Sequence, residues 1–254
     1  MDLFLSPRLK LDRAYSHIQE LGRLTKPLSK TLYEIKVDPE FAFPKPYAIS
    51  MTLTYKPTKP IAETLGLIIG DVVNNFRSAL DHLASGIVRE NNTSARPFFP
   101  MCKKRNELPS NKSLSVIEQA LPGSTELLLE KIRPDEVSGV DLWCFHLLDN
   151  DSKHNLILPT VSVVSINNIN LVSGGMRMTN CVVGGDATQP INILKTAGDP
   201  IQIQQGFDVS VDFRFPADSI FPLLDVLETL NRIGSIVAET IDSFEELYLL
   251  QSTN

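Results

Sequence analysis

Short polar side chains cluster between residues 71 and 82, in a stretch whose spacing predicts a helix. They fall on two neighbouring stripes, one made of Asp71, Asn75, Ser78 and His82 and the other of Asn74, Arg77 and Asp81. Arginine binds phosphate through two parallel hydrogen bonds, and histidine titrates near neutral pH. These two residue types can bind a phosphate and transfer a proton, so one interpretation of the stripes is a functional site. In this interpretation Asp81 assists the catalysis, and the ligand is bound by Asn74, Asn75 and Ser78.

The same stripes also have a structural interpretation. No Lys or Glu occurs from residue 71 to residue 88, although both favour helices and usually cover a solvated face. Asn and Asp compete for backbone hydrogen bonds, so they cost helix stability unless a ligand, a partner or a buried network uses them. Arg77 and Asp81 also fit an ion pair, because they are four residues apart. Asn75 and His82 also fit buried groups that are hydrogen-bonded to neighbouring elements.

A second polar segment follows near residue 150, in WCFHLLDNDSKHNLILP. Asp151, Lys153 and His154 come at the predicted end of a helix, where the helix dipole stabilises cations. This position favours a structural interpretation as a helix end. The functional interpretation is that these three side chains enter the same cleft as the first segment. Lys153 and His154 would then take part in catalysis, and Asp151 in binding.

The bulk composition excludes several classes of protein. The 254 residues are 43% hydrophobic and 21% charged, which is too apolar for a disordered chain. Cys102, Cys144 and Cys181 lack the paired spacing of a disulfide framework or a cysteine zinc site. The 4 His residues form no closely spaced pair, so neither a metal site nor a cofactor is predicted.

Charge and hydropathy restrict the partners and the location. The net charge of −6 and the pI near 5.3 argue against broad nonspecific binding to nucleic acid, but they allow a local basic groove. The first residues, MDLFLSPRLKLDR, lack the apolar core of a signal peptide. No stretch approaches the ~20 apolar residues that a membrane span needs. We therefore expect no membrane partner and a cytoplasmic location.

Helices must position both polar segments. Apolar spacing predicts helices over residues 8–30, from just after Pro60 to about Glu90, and over 113–121, 124–132, 139–152 and 218–248. A polar and proline-rich loop is predicted for residues 92–112. The first polar segment thus lies on the long central helix, and the second lies at the end of the helix over 139–152.

Strands are predicted in two blocks. Residues 31–37 and 47–55 alternate in polarity, and the proline-rich DPEFAFPKP between them predicts a turn. Residues 156–215 are rich in Val, Ile, Thr and Asn, and are interrupted at Gly174-Gly175, Gly184-Gly185 and Gly198-Asp199-Pro200. This pattern predicts antiparallel strands joined at turns. The expected class is α+β, with long central and C-terminal helices packed with a largely antiparallel β-sheet.

The chain length fits one large domain or two small ones. The early strands can join the later sheet, which favours a single α+β domain over residues 1–254. The alternative is a helical subdomain over 60–155 and a β-rich subdomain over 156–215, the latter packed with the terminal helices.

The stretch NNFRSALDH resembles the motif of the HEPN superfamily, in which an arginine on a helix is followed four to six residues later by a histidine. Arg77 and His82 occupy those positions, and Ser78 and Asp81 are the polar residues between them. The resemblance implies a metal-independent RNA-cleaving centre, often at a dimer interface. Arg77 would stabilise the phosphate charge, and His82 would act on the 2′-hydroxyl or the leaving group.

Residues 60–160 also resemble a group of uncharacterised bacterial proteins that share an RSALDH helix and a D-x-KH segment. Asp151, Lys153 and His154 complete the second of these segments. This resemblance implies no known activity.

Three functions are expected as alternatives. The first is a metal-independent ribonuclease or nucleotide-processing protein that acts on RNA or a nucleotide, as a homodimer if the HEPN resemblance holds. The second is a noncatalytic small-ligand or protein-binding protein in which the same polar residues form a buried structural network. The third is a metal-dependent hydrolase.

Overall fold

The structure, a computed structural model, describes residues 2–25, 33–41, 48–58, 64–90, 94–154 and 160–252. It confirms the α+β class, since long helices accompany antiparallel sheets. The chain divides into two compact units. The helical unit comprises residues 1–21, 63–159 and 215–254, and the strand unit comprises 22–62 and 160–214. That the whole chain is one domain stays a prediction.

The main helices are α1 Leu5–Thr25, α2 Thr64–Glu90, α3 Lys112–Ala120, α4 Ser124–Glu126, α5 Val140–His154 and α6 Val226–Ser252. A 3₁₀ helix, Arg105–Ser110, precedes α3 within the region predicted as a loop, and a π-helical turn, Leu127–Ile132, continues α4. The predicted end of α1 at 26–30 and the predicted start of α2 at 61–63 lie outside the described residues.

The last helix begins later than the spacing predicts, at Val226 instead of residue 218. The preceding segment forms a loop in which the Phe215 N–H donates to the Leu224 carbonyl, at 3.0 Å. Asp225 then caps α6, because its Oδ1 accepts from the Glu228 N–H at 2.9 Å. The apolar residues at 218–225 fit a helical period, but the loop and the cap decide where the helix starts.

Phe76 of α2 lies at the centre of the helical unit. Its ring makes edge-to-face contacts with Tyr15 of α1 and Phe145 of α5, with ring centroids 6.1 Å and 6.3 Å apart. On α6, a Cβ added to Gly234 would lie 2.8 Å from the Tyr15 hydroxyl and 2.9 Å from the Phe76 ring. These contacts fix the position of α2, and with it the polar residues that α2 carries.

The strands are β1 Tyr33–Phe41, β2 Ala48–Pro57, β3 Val161–Ser173, β4 Met176–Asp186, β5 Ile191–Thr196, β6 Gln202–Ile203 and β7 Asp208–Arg214. In the described part, one antiparallel sheet has the order β1-β2-β5, and in the other β3 pairs with β4, β6 and β7. Both sheets contribute to a common core, which includes Leu53, Tyr55, Val164 and Ile166.

One predicted turn is wrong, and another starts later than predicted. β1 continues through Pro39 to Phe41, so the turn predicted over 38–46 cannot start before residue 42, and its remaining residues lie outside the described part. An edge strand tolerates proline because its outer N–H groups need no partner. Gly184 and Gly185 lie inside β4, where a Cβ on Gly185 would lie 2.8 Å from the Ile191 side chain. The turn at Gly174-Gly175 does join β3 to β4.

Across the described ranges, no helix combines the length and the apolar character that crossing a bilayer requires.

Candidate functional site

Two clefts lie along α2 and share Asp81 and Phe98 in their linings. The first, here called the Arg77 cleft, has a volume of about 430 Å³ and is defined by Arg77, His146, Asp149, Asn150, Lys153 and the loop over 98–101. The second, the His82 cleft, has a volume of about 670 Å³ and is defined by Ser6, His82, Ser85, Arg89 and Arg96. All these residues belong to the helical unit.

Arg77 connects α2 to the loop that follows it through hydrogen bonds. Its side chain is 9% exposed, and it donates from Nε to Asp81 Oδ2 at 3.1 Å, with Nη2 3.0 Å from Oδ1. Nη2 also donates to the Phe99 carbonyl at 3.2 Å, and Nη1 to the Met101 sulfur at 3.4 Å. Asp81 also holds this loop, because its Oδ1 accepts a hydrogen bond from the Phe99 N–H at 2.8 Å. The network matches the ion pair and the buried network that the sequence allows.

His146 of α5 meets Arg77 across the Arg77 cleft. Its Nδ1 lies 3.5 Å from Arg77 Nη1, and its Nε2 lies 3.2 Å from the Asn150 amide. A guanidinium can only donate, so Nδ1 is the acceptor in the contact with Arg77. Burial lowers the pKa of His146, and the Arg77 charge lowers it further. The ring is therefore neutral at pH 7.

Asp149 and Lys153 form an ion pair one helical turn apart on α5. Lys153 Nζ lies 2.6 Å from Asp149 Oδ2. The Asp149 side chain is 1% exposed, whereas that of Lys153 is 49% exposed. Oδ1 of Asp149 is buried and has no hydrogen-bond partner among the described residues. The cleft thus contains a buried acceptor beside a cation that reaches solvent.

His82 faces the other cleft. Its Nδ1 lies 2.7 Å from the Ser6 hydroxyl at the start of α1. Burial lowers the pKa of His82, and the charges of Lys10 and Arg89 lower it further, while Asp81 acts in the opposite direction. His82 is thus neutral at pH 7 and able to accept a proton.

Exposed arginine and aromatic side chains line the same cleft as His82. Arg89 and Arg96 are both exposed and line the same cleft. Phe98 is 68% exposed, which is unusual for so large an apolar ring. A cation pair beside an open aromatic face suits a phosphate and a base, respectively.

The structure brings some of the predicted residues together and separates others. Lys153 lies in the same cleft as Arg77 and Asp81, as the sequence predicts, whereas Asp151 is not among the cleft-lining residues. The side chain of His154, the last residue of α5, lies outside the described part. Arg77 and His82 open into different clefts, since five residues along a helix turn the side-chain direction by about 140°.

The three predicted binding residues of α2 occupy separate environments. Asn74 is exposed. Asn75 is buried and donates to the Asp71 carbonyl of its own helix at 2.8 Å. Ser78 is partly buried. None of the three lines either cleft.

Several groups that line the clefts are not among the predicted site residues. Asp149 was detectable, because it precedes Lys153 by four residues on a predicted helix. His146 precedes Asn150 by the same spacing. Arg96 and Phe98 lie in a loop with no periodic pattern, so the sequence contains no signal for their position.

No group of three or more His, Cys, Asp or Glu side chains within the described ranges is arranged to hold a metal ion. The three cysteines are free thiols. Burial raises the pKa values of Cys102 and Cys144, which makes both poorer nucleophiles.

No family model matches this chain, and no curated protein or solved structure is significantly similar to it.

Proposed function

We propose that this protein processes RNA or a nucleotide without a metal ion, with His82 as the proton-transfer group. The observation that supports this most directly is the contact of His82, whose pKa burial lowers, with the Ser6 hydroxyl in a cleft that also contains Arg89, Arg96 and the exposed Phe98. These groups fit the cleavage of a phosphodiester. His82 is the base, Arg89 and Arg96 are cations for the phosphate, and Phe98 is a ring on which a nucleobase can stack.

The reaction would be internal transfer in RNA. His82 removes the proton from the 2′-hydroxyl, and the 2′-oxygen attacks phosphorus. The bond from phosphorus to the 5′-oxygen breaks, which gives a 2′,3′-cyclic phosphate and a 5′-hydroxyl that takes its proton from solvent. Arg89 and Arg96 balance the charge that builds up on the phosphate oxygens.

Arg77 takes a different role in this proposal from the one that the HEPN resemblance implies. Its described contacts to Asp81, Phe99, Met101 and His146 engage the N–H groups that would otherwise hold a phosphate. Arg77 is then a positioning residue, because it holds the loop that carries Phe98.

The second candidate is a noncatalytic small-ligand or protein-binding protein. It is favoured by the Arg77–Asp81 network, which already engages both side chains within the fold. In that case the clefts bind a ligand and leave it unchanged.

The deciding experiment measures cleavage of a fluorogenic RNA in buffer containing EDTA, by the unmodified chain and by His82→Gln. We expect cleavage by the unmodified chain and a loss of about 100-fold or more in the variant, the usual contribution of a general base. His17→Gln is the matched control, because His17 lies on α1 beside Glu20 and outside both clefts. Melting temperatures of all three proteins verify folding.

Each contrary result identifies a different alternative. Absence of cleavage by a folded, unmodified chain would contradict the proposal and favour the binding protein. Cleavage that EDTA abolishes would favour the metal-dependent hydrolase. We also expect a cytoplasmic location and a homodimer, and light scattering of the purified chain measures the second.

A further inference from the structure

β4 is an edge strand of the strand unit. It pairs with β3 along one side, and no other described strand pairs with its second side. The edge of a sheet is a row of N–H and C=O groups that can pair with another strand. Proteins often block such edges with lysine or proline, and β4, MRMTNCVVGGD, contains neither. Its second side is therefore open to a further strand.

A β-bulge decides which side chains of β4 face solvent. Thr179 and Asn180 together oppose one residue of β3, Asn170. Met178 and Cys181, on either side of the bulge, both pack against the core of the strand unit. They are three residues apart, so the strict alternation of a regular strand would place them on opposite faces. The extra residue restores the alternation on each side of the bulge.

The solvent face of β4 carries its exposed groups in a symmetrical order. From one end to the other, the exposed positions of this face are Arg177, the bulge at 179–180, Val182, Gly184 and Asp186. Val182 is at the centre and is 63% exposed. Arg177 and Asp186 are the only charged residues of β4, and they have opposite signs. Asp186 Oδ1 accepts from the Thr188 N–H and hydroxyl at 2.8 Å and 2.7 Å, which holds the carboxylate at its end of the face.

We propose that the open edge of β4 pairs with β4 of a second copy of this chain, antiparallel and with Val182 at the two-fold axis. In an antiparallel pair, the side chains of one face lie opposite each other in reverse order. Arg177 of each copy then lies opposite Asp186 of the other, and Gly184 lies opposite the bulge. Opposite charges placed directly across two strands stabilise the pair, and the symmetry makes both ion pairs equivalent.

The bulge makes this register possible. Val182 is five residues from Arg177 but only four from Asp186. In a regular strand, Arg177 and Asp186 would therefore lie on opposite faces and could not meet across a two-fold axis. With one extra residue at 179–180, both lie two steps of the alternation from Val182, on the same face. A bulge often protects an edge from pairing, whereas this one makes β4 complementary to itself.

This inference does not depend on the RNA chemistry. It rests on residues of the strand unit, whereas the proposed reaction uses residues of the helical unit. It assigns an interface to the homodimer that we expect. Absence of RNA cleavage would leave the β4 pairing standing, and a monomeric chain that cleaves RNA would remove the pairing and leave the reaction.

Analytical ultracentrifugation of the full chain tests the ion pairs. The unmodified chain should be a dimer at micromolar concentration. Arg177→Asp and Asp186→Lys should each raise the dimer Kd about tenfold or more, because each variant brings two pairs of like charges together. Arg13→Asp, at an exposed arginine of α1, is the matched control and should leave the Kd unchanged. Melting temperatures verify that all the variants fold.

A mixture of the two charge variants gives a result that a loss of folding would not give. In a dimer of one Arg177→Asp chain with one Asp186→Lys chain, the introduced aspartate faces the introduced lysine, and the native arginine faces the native aspartate. The equimolar mixture should therefore dimerise about as strongly as the unmodified chain. A monomeric unmodified chain, or variants that dimerise no better mixed than alone, would overturn the proposal.

A disulfide at the two-fold axis tests the register. Val182→Cys places two thiols directly opposite each other, where the Cα atoms of antiparallel neighbours are about 4.5–5.5 Å apart, within the range of a disulfide. Mild oxidation should convert this variant to a covalent dimer on a nonreducing gel. Val161→Cys, on β3 and 37% exposed, is the matched control and should stay uncrosslinked, as should the unmodified chain. Equal crosslinking of the two variants, or of neither, would overturn this register.

Discussion

The Arg77–Asp81 pair explains why an arginine is required at this position of α2. Two guanidinium nitrogens, Nε and Nη2, contact the two oxygens of Asp81. Nη2 also reaches the Phe99 carbonyl, and Nη1 reaches the Met101 sulfur. Lysine has one nitrogen and cannot make the forked contact. The pair thus fixes the loop over 98–101 through Phe99 and Met101, and the position of Phe98 depends on it.

Removing one partner of this pair should destabilise the protein strongly. Arg77→Met leaves the mostly buried Asp81 without its cation, and such losses cost about 3 kcal/mol of unfolding free energy. Arg105→Met is the matched control, since Arg105 pairs with Glu130 on the surface, where a pair contributes about 1 kcal/mol or less. Urea unfolding measures both values, and similar losses in the two variants would contradict the structural role of Arg77.

His146 should make stability depend on pH. Its pKa in the folded chain is below the ordinary 6.5, so the unfolded chain binds more protons as the pH falls through 6.5. The contribution of His146 is therefore complete above pH 6.5 and decreases towards acid, until the folded-state pKa is reached. We expect His146→Gln to have a flatter curve of unfolding free energy between pH 7 and pH 5. Parallel curves for the two proteins would contradict this.

Protonation of His82 should set the pH below which the rate of RNA cleavage falls, here called the acid limit. Because its pKa is lowered, the neutral base persists to a pH below that of an unperturbed histidine. The rate should fall only below pH 6.5, with a slope of one proton. Arg89→Gln removes one of the charges that lower this pKa, so it should move the limit to higher pH. The test compares kcat/KM of the unmodified chain and of Arg89→Gln from pH 4.5 to pH 8. The same apparent pKa in both proteins would contradict the influence of Arg89 on His82.

At the scale of the elements, the crossing of α1, α2 and α6 has no room for a side chain at Gly234. Ala is normally better than Gly within a helix, yet a Cβ here would meet Tyr15 and Phe76 at less than 3.0 Å. Close approach of the helices, and not backbone freedom, is the reason for this glycine.

Two glycine substitutions should therefore have opposite effects on stability. Gly234→Ala should lower the unfolding free energy by about 1–3 kcal/mol through overpacking. Gly70→Ala on α2 should raise it by about 0.4–1 kcal/mol, since no atom lies within 4 Å of the added Cβ. Urea unfolding of the two variants measures the contrast, and stabilisation by Gly234→Ala would show that the helices can separate there.

The sequence predicted which helices and strands are present better than where they end or what packs against them. Helical spacing located α2 and α5, and the α+β class followed from the two strand blocks. The start of α6 depends on the cap at Asp225, which a purely apolar pattern does not reveal. Gly184 and Gly185 suggested a turn, but Ile191 packs against Gly185 within a continuous strand.

Spacing predicted the contacts between residues that share a helix, and the functional interpretation also predicted that Lys153 shares a cleft with the first polar segment. The Arg77–Asp81 and Asp149–Lys153 pairs follow from spacing, because four residues make one turn. The meeting of Arg77 with His146 depends on how α2 packs against α5, and the position of Phe98 depends on a loop. Neither the Arg77–His146 contact nor the position of Phe98 produces a periodic pattern in the sequence.

At the scale of the whole molecule, the net charge of −6 limits how RNA can be held. Under the proposed function, the negative net charge disfavours long-range attraction to RNA, so the affinity must come from a few local cations and from stacking. With Arg89 and Arg96 as the phosphate contacts, the logarithm of the association constant should fall with log salt with a slope of about −1.4, near −0.7 per phosphate on a single strand. Fluorescence anisotropy between 50 and 300 mM salt measures the slope. A value several times steeper would show that other cations bind the strand.

Because the chain is synthesised from its N-terminus, the contacts between α1 and α6 can form only after most of the chain has been made. Every residue that defines the Arg77 cleft lies between 77 and 153, so that cleft can form while the strands over 160–214 are still being synthesised. The start of α1 has to wait. Phe4 packs on Tyr248, and Arg8 pairs with Asp242, so these two residues gain those contacts only when the ribosome has produced α6. Ser6 lies between them, and its contact with His82 is therefore among the last in the helical unit to become fixed.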